Sequence, residues 1–387
     1  MRYILFLIFL FVLSACAKEA SNTQIVPANS KVSANLGVDK EVIAGELVTL
    51  SNNSLESGLK DFSWTISKQP DNSEVTLSGA TTETVNFTPV LGGIYEISLN
   101  LKTASNTVAS DSIKVFVLTQ LTNNSAYDGH PYYNSDGSKI AFESQHNTGS
   151  NANHNIWVMD SNGENAIQIT ANSANDRRPD WSPDDTQLVF HSNRLGNNDL
   201  YIKNSDGSGV ATAITTNTNP DSHPVWHPSH ETHIIYQSPR QSNLDIRSKT
   251  VGLSTSSKVV ADVSFDGHPM WSPDGSQIAF GRRVTASANM DIWIMNADGT
   301  NQRNISNTPD YFEQHAAWSP DGSQLAFRSD ESGNVDVWVI NIDGSGKKQI
   351  TQHSADDRNP TWRPDGKAIL FRSDRTGNEE LFLYPLE

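Results

Sequence analysis

Trp271-Ser-Pro-Asp-Gly-Ser-Gln-Ile-Ala-Phe280, followed by Asp291-Ile-Trp-Ile-Met-Asn-Ala-Asp-Gly299, decides the fold. Trp271 ends one short strand. Ser272-Pro-Asp-Gly275 is turn chemistry, since proline presets φ and glycine accepts positive φ. Gln277-Ile-Ala-Phe280 alternates and reads as a second strand. Asp291–Met295 is a third, Asn296-Ala-Asp-Gly299 a hairpin turn, and Asn304-Ile-Ser306 closes a fourth. Four antiparallel strands with two tight turns form one unit.

The unit recurs six times. Its opening block reads Pro131-Tyr-Tyr-Asn-Ser-Asp-Gly137, Pro179-Asp-Trp-Ser-Pro-Asp-Asp185, Pro224-Val-Trp-His-Pro228, Pro269-Met-Trp-Ser-Pro-Asp-Gly275, Ala316-Ala-Trp-Ser-Pro-Asp-Gly322 and Pro360-Thr-Trp-Arg-Pro-Asp-Gly366. The aromatic anchors Tyr133, Trp181, Trp226, Trp271, Trp318 and Trp362 are 48, 45, 45, 47 and 44 residues apart. A period of about 40–50 residues with four short strands per repeat is that of a β-propeller blade. One blade cannot bury both its faces, so neighbours stack in a ring. The reading is all-β: a six-bladed β-propeller over 115–387, preceded by an immunoglobulin-like (PKD-type) β-sandwich over 36–114. Val115–Thr122 has the Leu-Thr ending of an outer strand, and the chain stops just after a third strand. Residues 115–122 are therefore expected to supply the missing strand of the last blade and hide its edge.

Residues 3–13 are almost wholly apolar and follow Arg2. That run is too short to span a bilayer and suits a signal-peptide core. Leu13-Ser-Ala-Cys16 has the pattern of a bacterial lipobox, and Cys16 is the only cysteine. The expectation is a lipoprotein signal peptide over 1–15, lipidation at Cys16 and a flexible lipidated tether over 16–35. No Asp follows Cys16, which favours the outer membrane, on its periplasmic side or at the cell surface. Phe62–Ile66, Glu74–Leu77, Thr84–Phe87, Gly93–Leu99 and Ser112–Phe116 alternate as short strands, hence the expected sandwich. The segment resembles the PKD family at Ser63-Trp64, Lys68-Gln-Pro70, Phe87-Thr-Pro89 and Gly93-Ile-Tyr95, which implies a spacer. Formal net charge is −16. Such a balance argues against nucleic acid, whose affinity rests on cationic contacts to phosphate.

The repeats resemble the TolB-like β-propeller (PD40, WD40-like) family, most plainly at 271–280, 318–327 and 291–299. The resemblance covers about 119–387 and implies a six-bladed ring. It also points to an envelope partner such as a peptidoglycan-associated lipoprotein. Related repeats occur in prolyl oligopeptidases and oligogalacturonate lyases. No Gly-x-Ser-x-Gly block is present, which excludes a prolyl peptidase. His230-Glu-Thr-His233 has its histidines three residues apart in a turn, not the zinc-motif spacing on a helix.

Candidate chemistry lies in the loops leading into the blades: Asp128-Gly-His130, Asp176-Arg-Arg178, Asp221-Ser-His223, Asp266-Gly-His268, Glu313-Gln-His315 and Asp357-Arg-Asn359. An acid holds one register in all six, and His follows two residues later in four. All twelve are expected at the channel mouth as ligand-binding residues, with no nucleophile–base pair visible by spacing. His223, His268 and His315 come from consecutive blades and are the candidate metal ligands, for manganese by resemblance to the lyases. The acids alone suit calcium, which takes oxygen ligands. Ten arginines fall in loops of the same face: 177, 178, 194, 240, 282, 283, 328, 358, 372 and 375. Guanidinium forks suit carboxylates. The leading reading is a lipid-anchored, non-enzymatic envelope protein that binds a protein partner or an anionic glycan at this mouth. The alternative is a metal-dependent carbohydrate-active enzyme, similar to an oligogalacturonate lyase, acting on anionic oligosaccharides.

Overall fold

The computed structural model describes residues 33–387 apart from 55–58, 104–107, 147–152, 241–242, 261–263 and 286–287. Cys16 and the segments expected to be a signal peptide and a lipidated tether lie wholly or mostly outside the described residues. Among those described, no helix is long and apolar enough to cross a membrane.

Six strands build the N-terminal unit: β1 (Lys40–Ile43), β2 (Val48–Ser51), β3 (Leu59–Lys68), β4 (Thr84–Phe87), β5 (Gly93–Thr103) and β6 (Val108–Gln120). β3, β5, β6 and β1 pair in one sheet, and β2 pairs with β4 in another. Both contribute to one core containing Leu50, Trp64, Val85, Tyr95 and Val115. Trp64 donates its indole N–H to the Thr82 carbonyl at 2.8 Å.

Five repeats then fold as free-standing four-stranded antiparallel sheets. Their inner strands are Asp128–Tyr133, Asp176–Trp181, Ser222–Trp226, Phe265–Trp271 and Glu313–Trp318. The sixth repeat differs. Its strands Asp357–Trp362, Ala368–Ser373 and Glu380–Pro385 belong to a seven-stranded sheet that continues through β6 into β5, β3 and β1. The expectation of six equivalent blades is therefore corrected: the propeller has five blades of its own, not six, and the sixth repeat forms a sector shared with the N-terminal unit. The cause is the length of β6. Thr119 and Gln120 pair with Leu383 and Phe382, while 108–117 of the same strand pair with β5. The expected boundary at 114/115 falls inside this strand.

The anchor residues tie neighbours together. Trp181, Trp318 and Trp362 donate their indole N–H groups to the carbonyls of Tyr132, Met270 and Ala317 on the preceding inner strand, at 3.0–3.1 Å. The first repeat lacks the Pro of the motif. Ser135 stands in its place, and its amide and hydroxyl donate across the blade boundary to Asp185 of the second repeat, which sits at φ 58° in place of the usual turn glycine. A true glycine is needed at Gly299, where a Cβ would lie 2.1 Å from the Val259 carbonyl oxygen.

Candidate functional site: a histidine–arginine ring at one channel mouth

Every inner strand carries the same irregularity. The pairing register slips between Gly129 and Tyr132, Arg177 and Asp180, Ser222 and Val225, Gly267 and Met270, Gln314 and Ala317, and Arg358 and Thr361. Within each slip one residue is left-handed: His130, Arg178, His223, His268, His315 and Asn359, with φ between 49° and 56°. A non-glycine residue in this region costs about 1–2 kcal/mol. A bulge re-aims a side chain out of the strand's alternation. The next residue is proline in five cases, and proline is tolerated at a bulge because no ladder N–H is required there.

The bulge separates what the sequence placed together. The six acids at the start of the inner strands are buried inside their own blades. Asp176 accepts from Arg194 Nη2 at 2.8 Å and from Asn172. Asp266 accepts from Arg282 at 2.6 and 2.9 Å. Glu313 pairs with Lys347 at 2.8 Å, and Asp357 with Arg375 at 2.9 Å. Asp128 and Asp221 accept from Asn124 and Asn217 at 2.7 Å. These are blade-internal ties, and none of the acids lines the cavity at the mouth.

That cavity of about 20 Å³ has room for about one water or ion. It is lined by Arg178, His223, His268, His315 and Asn359, with Tyr132 and the flanking prolines behind them. His268 and His315 rings lie 4.1 Å apart, His223 and His268 4.5 Å, and His130 and His315 5.8 Å. His223, His268 and His315 each offer a ligand nitrogen, all within 4.8 Å of one another, the one such group among the described residues. This cluster can coordinate a divalent metal. His223 Nε2, His268 Nδ1 and His315 Nδ1 are buried and have no hydrogen-bond partner. Burial, reinforced by Arg178 and by neighbouring imidazoles, holds all three well below the usual histidine range. They are neutral at physiological pH, which is the form that ligates metal.

A second ring went unread in the sequence. The fifth position of the second strand carries Glu143, His191, Gln237, Gly281, Arg328 and Arg372, facing the bulge. The available signal was variation at one register directly after the constant aromatic (Phe142, Phe190, Tyr236, Phe280, Phe327, Phe371). Glu143 is fully buried and accepts from Arg177 Nη2 at 2.8 Å and from the Arg178 amide at 2.9 Å. Its Oε1 lies 3.0 Å from His130 Nδ1. Burial opposes the charge on Glu143, but its contact with His130 and the Arg177 guanidinium outweigh it and hold the carboxyl well below its usual range. Burial pushes His130 and His191 down to about 3. Gln237 donates to Ser222 Oγ at 3.1 Å and accepts from the His268 amide at 3.0 Å, and Ser222 Oγ lies 3.2 Å from His223 Nδ1. Two ligand histidines are thereby positioned by one amide.

Most of the ten arginines are structural. Arg177, Arg194, Arg282, Arg358, Arg372 and Arg375 pair with Glu143, Asp176, Asp266, Asp356, Glu379 and Asp357. Arg283 lies over the Phe265 ring, and the Arg240 side chain is outside the described part. Arg178 and Arg328 remain. Among the described residues, neither forms an ion pair with a carboxylate: Arg178 donates to His315 Nε2 at 2.9 Å, and Arg328 to the Gln314 side chain. Both are pushed down to about 10, chiefly by burial, and for Arg328 also by Arg358, Arg178 and Arg372. Two guanidiniums without an ion-paired carboxylate thus stand by the neutral imidazoles of the mouth.

Residues 147–319 match the family described as the TolB beta propeller domain, and residues 281–384 match the Tricorn protease N-terminal beta propeller domain. No curated protein matches the chain. Among solved structures, a protein from Agrobacterium tumefaciens described as a TolB is similar at 18% identity and TM-score 0.54, over 72% of this chain and 94% of that one. An oligogalacturonate lyase from Vibrio parahaemolyticus is similar at 16% identity and TM-score 0.51, over 76% and 98%. An oligogalacturonate lyase in complex with manganese is similar at 17% identity and TM-score 0.51, over 86% and 99%. At these identities the likeness concerns the fold, a β-propeller scaffold of the TolB and oligogalacturonate-lyase type.

Proposed function

We propose that the protein is a metal-dependent carbohydrate-active enzyme that acts on anionic oligosaccharides at the histidine–arginine mouth. The observation that carries this is the convergence of three neutral imidazoles, with ligand nitrogens within 4.8 Å, beside guanidiniums that lack a carboxylate. The resemblance to manganese-bound oligogalacturonate lyase supports manganese and a uronate substrate. His223, His268 and His315 would hold the ion, which supplies a Lewis acid to polarise a uronate carboxylate. Arg178 and Arg328 would neutralise the same carboxylate, which lowers the barrier to removing the proton next to it. The base would come from the imidazoles outside the metal set, among them His130, whose Nδ1 lies 3.0 Å from Glu143 Oε1, and His191. β-Elimination would pass the abstracted proton to the base, break the C–O bond beyond the adjacent carbon, form a C=C bond in the uronate, and release the other sugar as an alcohol once its oxygen takes up a proton; no water is added.

Attachment to the outer membrane through a lipidated Cys16, and engagement of an envelope partner, belong to the same proposal. They are supported by the sequence pattern of residues 1–35 and of the repeats.

The test is elemental analysis of the purified chain before and after chelation, followed by incubation with de-esterified oligogalacturonates. One manganese, zinc or nickel per chain, absent from a His223→Ala/His268→Ala double variant, together with ultraviolet absorbance from unsaturated uronate products, is the expected result. A metal-free chain that gains no metal on soaking would sink the enzyme and return the mouth to non-enzymatic binding of a partner or glycan.

A further inference from the structure

His315 is the ligand whose nitrogens are both spoken for. Arg178 Nη1 donates to its Nε2 at 2.9 Å. A guanidinium is only a donor, so Nε2 holds its lone pair there and the imidazole proton sits on Nδ1. One nitrogen is covered by a cation and the other by its own proton, so neither is open to a metal while Arg178 stays. Arg178 also brings a positive charge to the edge of the three-histidine cluster through its contact with His315. That charge opposes a metal cation. Arg178 itself has a poor partner. Its guanidinium rests on a neutral imidazole, while the nearby Glu143 carboxylate is bonded to the Arg178 backbone amide rather than to the fork. A carboxylate is a far better partner for the fork, through two charge-assisted bonds.

We infer that Arg178 gates the metal site, and that an anionic ligand opens the gate: carboxylate and metal bind cooperatively, each raising the affinity for the other. This rests on the metal reading proposed above and deepens it, because it makes metal loading depend on substrate. By linkage, the factor by which the carboxylate tightens the metal equals the factor by which the metal tightens the carboxylate.

The experiment is calorimetric titration of manganese into the full chain, with and without saturating digalacturonate, for the wild type, Arg178→Gln and Arg178→Asn. The asparagine variant guards against misfolding, because Asn359 already occupies the equivalent bulge at φ 54°. Expected are at least tenfold tighter manganese binding by both variants without sugar, about 1.4 kcal/mol, and at least tenfold tightening by digalacturonate in the wild type alone. Chelation of free manganese by the sugar works against this result, so it cannot imitate it. Equal or weaker manganese binding by both variants overturns the gate and leaves the metal site standing. The same holds for a wild type indifferent to digalacturonate. No manganese binding by any form overturns the gate and the metal reading together.

Discussion

The two ends of the channel are built by opposite rules. At the turn end, the chain largely repeats itself: Trp, Pro and Asp return at the same places in most repeats, and the recurring turn Asp is bonded within its own turn. Asp184, Asp274 and Asp321 accept from Ser182, Ser272 and Ser319 at 2.6 Å, and these contacts lower each carboxyl. At the other mouth only the backbone repeats. The left-handed bulge recurs, but it presents His, Arg, His, His, His and Asn, many of whose polar atoms have no partner. Side chains that repeat and are satisfied hold the blades together. Side chains that vary at a repeated strained position, and are unsatisfied, are free to serve a ligand.

The sharpest break of this comparison is Trp318→Ala at the turn end. The indole is 7% exposed, packs with Ile292, Leu325 and Phe327, and donates across the blade boundary. A loss of about 3–5 kcal/mol is expected, read from chemical denaturation. A loss below about 1 kcal/mol would mean that the anchors do not carry the stacking.

Asp180 probes the channel between the two ends. Burial raises its carboxyl to about 7, although the Trp226 amide donates to it at 2.7 Å. The folded value lies above the unfolded value of about 3.9. Between them the folded state binds more protons, so stability falls as pH rises through this window. Asp180→Asn keeps an acceptor without the charge. It should be more stable than wild type by roughly 2 kcal/mol at about pH 8, with the advantage gone near about pH 4. Melting curves across this range decide it, and a pH-independent difference would refute the buried charge.

The smallest effect belongs to the mouth. His268→Gly removes a metal ligand and also the steric penalty of φ 54°. Stability within about 1 kcal/mol of wild type is expected, alongside loss of bound metal in elemental analysis. Marked destabilisation would make the histidine ring a part of the scaffold after all.

Much of this was legible in the sequence, for physical reasons. The Trp-Ser-Pro-Asp-Gly blocks report turns and cross-blade anchors, which are local or periodic constraints. His223, His268 and His315 were visible because they share one register. The acids were misjudged because two-residue alternation puts Asp266 and His268 on one side, whereas the bulge between them turns one inward to its blade and the other to the channel. Glu143 and His191 were hidden within strands that read as ordinary core. The sixth repeat was misjudged because Val115-Phe-Val-Leu118 alternates in the same way on either side of the expected boundary, so nothing local marks where one sheet hands over to the next.

The shared seven-stranded sheet has a mechanical consequence. Arg375, 2% exposed in its side chain, is held by Asp357 of the last repeat and by Glu41 of β1. A pull on the chain at its N-terminal end would not swing a tethered bead. It would load the β6 ladder in shear, with several backbone bonds sharing the tension at once, and pass directly into the ring. The N-terminal unit is thus joined to the propeller by a shared sheet and by the Arg375–Glu41 ion pair, not by a single covalent linker.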